Sequence, residues 1–253
     1  MIYGNAVIRI GNVSKRFRIP HERKNTLFET LVGIFGKSSY ETFYALDRIS
    51  LEIKKGEFIG LIGDNGSGKS TLLRIIAGIL VPTAGNVYTH GKIVSLIELG
   101  VGFQIELTAK ENVFLYGAVM GMSRKEIKSK YSRIVEFAGV QKFMDTKLKN
   151  FSSGMKVRLA FATAIQTEPD ILLLDEVLAV GDADFQKKCY AVFEQLREKS
   201  TTIIFASHDN DAVRKFCSKV ILLRKGKVMS FARTDKALKI YTNKGRMSSS
   251  AES

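Results

Sequence analysis

Apolar residues in this chain come in short blocks, and the spacing within each block predicts its structure. Residues 6–10 and 50–53 read as short strands. Between them lies an insert, 18–42, in which Leu27, Phe28, Leu31, Ile34 and Phe35 recur at helical spacing. An apolar run at 58–62 predicts a buried strand, followed by a glycine-rich turn and then a helix over 70–80 closed by Pro82. Residues 92–97 add another strand. From Ala109 to about Thr163 no strand pattern is convincing, and Ile127, Tyr131, Ile134, Val135 and Ala138 mark one face of a helix, so 109–163 reads as a helical subdomain. Beyond Pro169 the pattern alternates again: strand 171–174, helix 184–199, strand 202–206, helix 209–216, and a hairpin of 220–223 with 228–231. The prediction is an α/β domain over 1–242, interrupted by the helical subdomain and trailed by a disordered tail, 243–253.

Composition narrows this picture only a little. With 253 residues, 45% of them hydrophobic, the chain has ample material for a core. The longest apolar stretches, 58–63 and 171–174, fall far short of the roughly 18 residues that span a bilayer. The N-terminus Met1-Ile2-Tyr3-Gly4 has no signal-peptide pattern, so a cytosolic chain is expected. Cys189 and Cys217 lie in helix-like segments without metal-ligand spacing and read as two reduced thiols. The net charge of +14 suits nucleic acid, anionic headgroups or a phosphate-rich polymer. Its even spread, with no interleaved aromatics, reads first as solvated faces and second as a membrane-surface contact.

Four segments carry chemistry. Gly63-Asp64-Asn65-Gly66-Ser67-Gly68-Lys69-Ser70-Thr71 fits the phosphate-loop pattern G-x-x-x-x-G-K-[ST] in the strand-to-helix setting that the pattern needs. Small residues let the backbone N–H groups of Gly66, Gly68 and Lys69 close around a phosphate at the positive end of a helix. Lys69 supplies a point charge, and the Ser70 hydroxyl is placed for Mg²⁺. The strand 171–174 ends in Asp175 and Glu176: Asp175 for the Mg²⁺ shell, Glu176 to orient or deprotonate an attacking water. His208 follows the next core strand, where parallel strand ends meet in one crevice, and so reads as a γ-phosphate contact. Phe151-Ser152-Ser153-Gly154-Met155-Lys156 opens a helix, with Ser152 and Ser153 as N-cap candidates.

The order of phosphate loop, Ser-x-Gly helix start, Asp-Glu strand and histidine resembles the ATP-binding-cassette ATPases across about residues 1–240. That resemblance implies a P-loop NTPase core with a mainly parallel, RecA-like sheet, an antiparallel β subdomain and an inserted helical one. It also implies a homodimer, because Ser152, Ser153, Gly154 and Met155 would belong to the signature segment that reaches the ATP bound by the other copy. The usual signature is Leu-Ser-Gly-Gly-Gln, from which Phe151, Ser153 and Met155 depart. Asp182 would communicate across the dimer. The role of the glutamine loop falls to Glu98, favoured by counting back from the Leu-Thr and Glu-Asn segment, or to Gln104, with Glu98 also able to serve Mg²⁺. The adenine-stacking aromatic is Phe17 or Tyr44.

The wording around Met155, in Asp175-Glu-Val-Leu-Ala-Val-Gly-Asp182 and in Phe185-Gln-Lys-Lys-Cys189 looks like the polysaccharide-exporting branch of this family. Glu98-Leu-Gly-Val-Gly-Phe103 running into Glu106-Leu-Thr-Ala-Lys-Glu-Asn112 fits O-antigen exporters better than teichoic-acid ones. The resemblance therefore implies ATP and Mg²⁺ as ligands and two copies of a separate transmembrane permease. It further implies a lipid-linked polysaccharide as cargo, no nucleic acid, and a peripheral place on the cytoplasmic face of the inner membrane. The insert would face the permease or headgroups. Rival readings are a transporter of teichoic acid, capsule, lipid or drug, and a soluble cassette acting on ribosomes or nucleic acid.

Overall fold

The structure is a computed structural model that describes residues 5–20, 40–97, 100–175 and 183–249. Two long strands open the chain, β1 (Ala6–Pro20) and β2 (Tyr40–Lys54), followed by β3 (Phe58–Ile62), α1 (Lys69–Ile76), β4 (Ala84–Thr89) and β5 (Ile93–Leu96). Three helices come next: α2 (Ala109–Val119), α3 (Arg124–Ala138) and α4 (Ser153–Ile165). The chain then alternates through β6 (Ile171–Asp175), α5 (Ala183–Glu198), β7 (Thr202–Ala206) and α6 (Asn210–Phe216), and closes with the hairpin β8 (Lys219–Arg224) and β9 (Lys227–Arg233) and helix α7 (Thr234–Ser249).

The strands form two sheets. The larger runs β5-β6-β7-β3-β8-β9, parallel except for the β8–β9 hairpin, and the smaller is the antiparallel β2-β1-β4. Strands β3, β6 and β7 are almost wholly apolar because both faces of the large sheet are covered. Alternate residues go to opposite cores: Leu172 and Leu174 pack with Phe161, Phe185 and Phe193, whereas Ile171 and Leu173 pack with Leu72, Ile76 and the small sheet. A third cluster, with Val113, Ile127, Ile134, Leu148, Phe151 and Leu159, belongs to α2–α4 and the turns between them. A fully buried leucine contributes about 1.5–3 kcal/mol, so truncating one of these strand residues removes a sizeable share of a domain's net stability.

Several predicted bounds need correction. The strands predicted at 6–10 and 50–53 are the inner ends of 15-residue strands. The ladder continues through Phe17↔Phe43, Arg18↔Thr42 and Pro20↔Tyr40, so both ends of the predicted insert are sheet. Bulges between Ile10 and Val13, and between Lys15 and Arg16, break the alternation, and the outer ribbon keeps few buried apolar positions to signal a strand. Residues 21–39, with Leu27, Phe28, Leu31, Ile34 and Phe35, lie outside the described residues. Helix α1 stops at Ile76 and is closed by the turn at Ala77 and Gly78, before Pro82 can act. The stretch from Asn243 that reads as a disordered tail continues α7 as far as Ser249. Strand β4 was not predicted. Its residues are mostly exposed and carry no apolar stripe.

Candidate nucleotide-binding site

Register places three of the predicted residues along one edge. Asp175 pairs with Ala206, and Ala206 pairs with Leu61, so these three stand in a row across β6, β7 and β3. With strands about 4.8 Å apart, the ends of β6 and β3 are about 10 Å from each other. Beyond this row the phosphate loop leaves β3 at Gly63, and exposed His208 stands two residues past Ala206. Half-buried Asp175 ends its strand on the same edge. This is the carboxyl end of an open parallel sheet, where ligands of α/β folds bind.

The loop is built to receive an anion. Helix α1 begins at Lys69 with Gly68 as its N-cap, which has no side chain to make a cap, and the positive end of the helix dipole faces the loop. Gly68 has φ of 108°, and a Cβ there would come within 2.5 Å of the Ala45 carbonyl, so backbone conformation and the close approach of β2 both require glycine. The Lys69 side chain is buried, and its Nζ donates to the carbonyls of Gly63 at 2.8 Å and Asp64 at 3.2 Å. The ammonium is thereby held across the mouth of the loop. Ser67 is 3% exposed, and its Oγ is a buried hydroxyl without a hydrogen-bond partner. A buried, unsatisfied hydroxyl beside a helix N-terminus and a fixed ammonium fits a phosphate ligand. Ser70 and Thr71 occupy the first turn of α1, half-buried.

Residues that the sequence reading missed complete the loop from behind. Gly226, in the β8–β9 turn, donates from its N–H to the Ser67 carbonyl at 3.0 Å, while its own carbonyl accepts from Asp47 at 2.8 Å. Arg224 Nε lies 3.8 Å from the Asp64 carboxylate. Tyr241 of α7 also neighbours the Asp64 side chain. Burial, then the charge of that carboxylate and a hydrogen bond to it, raises the Tyr241 phenol above its ordinary pKa. A glycine in the Arg224-Lys225-Gly226-Lys227 turn was the one available signal; nothing local marks Ala45 or Tyr241.

Other predicted residues sit on other elements or lie outside the described chain. Ser152 is the N-cap of α4, its Oγ accepting from Met155 N–H at 3.2 Å; Ser153 is exposed, and Gly154 and Met155 are half-exposed in the first turn. Phe17 and Tyr44 are 39% and 50% exposed on the β1–β2 ribbon. Phe17 pairs with Phe43, and Tyr44 pairs with Arg16 at the adjoining position, so the two rings take opposite faces. Gln104 is exposed, and its backbone N–H and carbonyl are both bound by Asn112. Glu98, Glu176 and Asp182 lie outside the described residues.

Comparison with known proteins agrees with this geometry. The family model for ABC transporters matches residues 46–179, more than half of the chain. The chain belongs to the ABC transporter family. It is an ATPase cassette of that family, and its α/β fold is shared with a dimeric ATP-binding cassette solved in a post-hydrolysis state with ADP and Pi. That match has a TM-score of 0.73 at 27% identity and covers 90% of this chain and 98% of the other. Among curated relatives, the ABC transporter protein AbcA of Aeromonas salmonicida is 43% identical over 88% of this chain and 71% of its own length. The O-antigen export system ATP-binding protein RfbB of Klebsiella pneumoniae is 37% identical over 93% of this chain and 97% of its own length. Among the described residues no helix is long and apolar enough to cross a membrane.

Proposed function

We propose that this chain is the ATP-hydrolysing subunit of an ABC exporter for lipid-linked polysaccharide, O-antigen being the favoured cargo. The observation that carries the proposal is the 37% identity, nearly end to end in both chains, to an O-antigen export ATP-binding protein. Two copies form a head-to-tail dimer, each ATP lying between one chain's phosphate loop and the α4 start of the other, Ser152 to Met155. The dimer works with two copies of a separate permease at the cytoplasmic face of the membrane.

In this reading the first N–H groups of α1, the Ser67 hydroxyl and the Lys69 ammonium bind the phosphates, and Phe17 or Tyr44 meets the base. Ser70 and Asp175, with Glu98, would hold Mg²⁺, which when bound neutralises charge developing on the transferred phosphoryl group, and Glu98 or Gln104 takes the glutamine-loop role. Glu176 orients or deprotonates the attacking water, and His208 contacts the γ-phosphate. Asp182 carries the state of one site to the other. A positioned base and a held phosphate favour in-line attack, and loss of the γ-phosphate removes the ligand that bridges the two chains.

Replacing the chromosomal copy with a Glu176→Gln variant tests both cargo and role. Surface polysaccharide should be lost, and its lipid-linked precursor should accumulate facing the cytosol. Unchanged surface glycan would sink the polysaccharide reading, and a different accumulating lipid would name another cargo. Replacing 21–39 with a short glycine-containing turn, so that the β1–β2 ladder can still close at Pro20↔Tyr40, should preserve ATP binding and abolish export if that segment serves the permease.

A further inference from the structure

Asn112 binds the loop between β5 and α2 at several of its backbone groups. Asn112, in the first turn of α2 and 0% exposed, accepts from the N–H of Gln104 through Oδ1 at 2.7 Å. Its Nδ2 donates to the carbonyls of Gln104 at 2.9 Å, Thr108 at 2.9 Å and Leu107 at 3.3 Å. Only a side chain with an acceptor on one branch and an N–H₂ group on the other satisfies these backbone groups together. An apolar residue would remove the partner of the Gln104 N–H and one of the two donors at each carbonyl, since Leu107, Leu148 and Asn112 also donate to these carbonyls from their backbone N–H groups.

The same loop is laced to the segment that leads into α4. Lys149 N–H donates to Ile105 O at 2.9 Å and Leu148 N–H to Leu107 O at 2.9 Å. Ala109 N–H donates to Thr146 O at 3.0 Å and Lys110 N–H to Met144 O at 2.9 Å. At the surface the Glu106 carboxylate bridges Lys147 at 3.2 Å and Lys149 at 3.1 Å. Phe151 N–H then binds Leu148 O at 3.1 Å, its ring is buried in the helical core, and the next residue is the cap Ser152. From Gln104 to Ser152 the route therefore consists of covalent bonds and backbone hydrogen bonds, closed at one end by Asn112.

We propose that Asn112 is a positioning residue for the nucleotide site of the opposite chain: it fixes the Gln104 loop to the strap at 144–151, and thereby sets where Ser152 and Gly154 meet the partner's ATP. Gln104 and Ser152 then move as one piece. This rests on the head-to-tail dimer proposed above and adds to it a residue that touches neither nucleotide.

A mixed dimer separates the two ideas. One chain carries Lys69→Ala and the other Ser152→Ala, so neither alone has a complete site. Together they form one site, from the second chain's phosphate loop and the first chain's α4 start. Adding Asn112→Asp to the Lys69→Ala chain sets a carboxylate oxygen against three carbonyls, away from the working phosphate loop. ATP turnover of the mixed dimer should fall about tenfold at a temperature where the variant chain is still folded, as checked against its thermal unfolding midpoint, which the buried carboxylate lowers. A fall of less than about threefold overturns the proposal. Failure of the parent mixture to regain turnover overturns the head-to-tail reading, and the proposal with it. If Asn112→Asp prevents folding, Lys149→Pro takes its place, removing the N–H that binds Ile105, with Lys149→Ala as its control. Equal turnover of those two mixed dimers overturns the proposal.

Discussion

The N–H of Gly226 donates to the carbonyl of Ser67 at 3.0 Å, so a turn in the terminal hairpin holds the middle of the phosphate loop. Gly226 has φ of 74°, and a Cβ there would stand 2.8 Å from the Ala45 carbonyl. Gly226→Ala should therefore cost about 1–3 kcal/mol in chemical denaturation and weaken ATP binding, although Gly226 touches no nucleotide. Titration of a fluorescent ATP analogue checks the second effect; unaltered affinity would show that the loop keeps its shape unaided.

Phe17 and Tyr44 lie on opposite faces of the β1–β2 ribbon, so only one can stack on a base held beside α1. Phe17→Ala and Tyr44→Ala, made separately, should give one loss of ATP affinity of about fivefold or more and one of less than about twofold. Inorganic triphosphate, which has no base, should bind both variants like the parent. Equal losses for ATP in the two variants would remove both from the role.

Tyr116 is 0% exposed, and burial pushes its phenol up to about 12. The native state thus holds this proton more tightly than the unfolded chain does. Its contribution is fully present below the unfolded value near pH 10 and is lost as pH rises toward 12, by about 2–3 kcal/mol at most. Burial also raises the Cys189 thiol, to about 12, and the Cys217 thiol, so stability should start to decline from about pH 9. The Tyr116 hydroxyl faces the Gly100 backbone without a hydrogen bond of good geometry. Tyr116→Phe should accordingly leave stability at pH 7 unchanged or raised, and flatten its loss between about pH 10 and 12, as read by denaturant unfolding.

Thr108 and Glu111 form a reciprocal capping box at the start of α2, as Ser123 and Glu126 do at the start of α3. Thr108→Ala should cost about 1 kcal/mol, and so should Ser123→Ala. Only the first sits on the loop that carries Gln104. ATP turnover should fall further in Thr108→Ala than in Ser123→Ala at matched stability; equal turnover would separate the loop from the cap.

The core and the loop were legible because each has a local signature. The apolar runs of β3, β6 and β7 follow from burial on both faces, and Gly63 to Thr71 from the geometry a phosphate needs. The outer β1–β2 ribbon was not legible. Its bulges and solvated faces erase the period that marks a strand, as Phe17 and Phe43 at 39% and 47% exposure illustrate. Helix α7 was missed because its mostly polar sequence, Thr234–Ser249, resembles a tail once the contacts of Ala237 and Leu238 with the core are unknown. Ala45, Gly226 and Tyr241 serve the site through long-range contacts, which leave no trace in neighbouring residues.

Those contacts also set an order of events while the chain is being made. The phosphate loop leaves the ribosome long before Gly226 and Tyr241, which brace it from behind. A nascent chain therefore displays the loop's sequence without its support, and the loop is braced only once the terminal hairpin has been synthesised and docked.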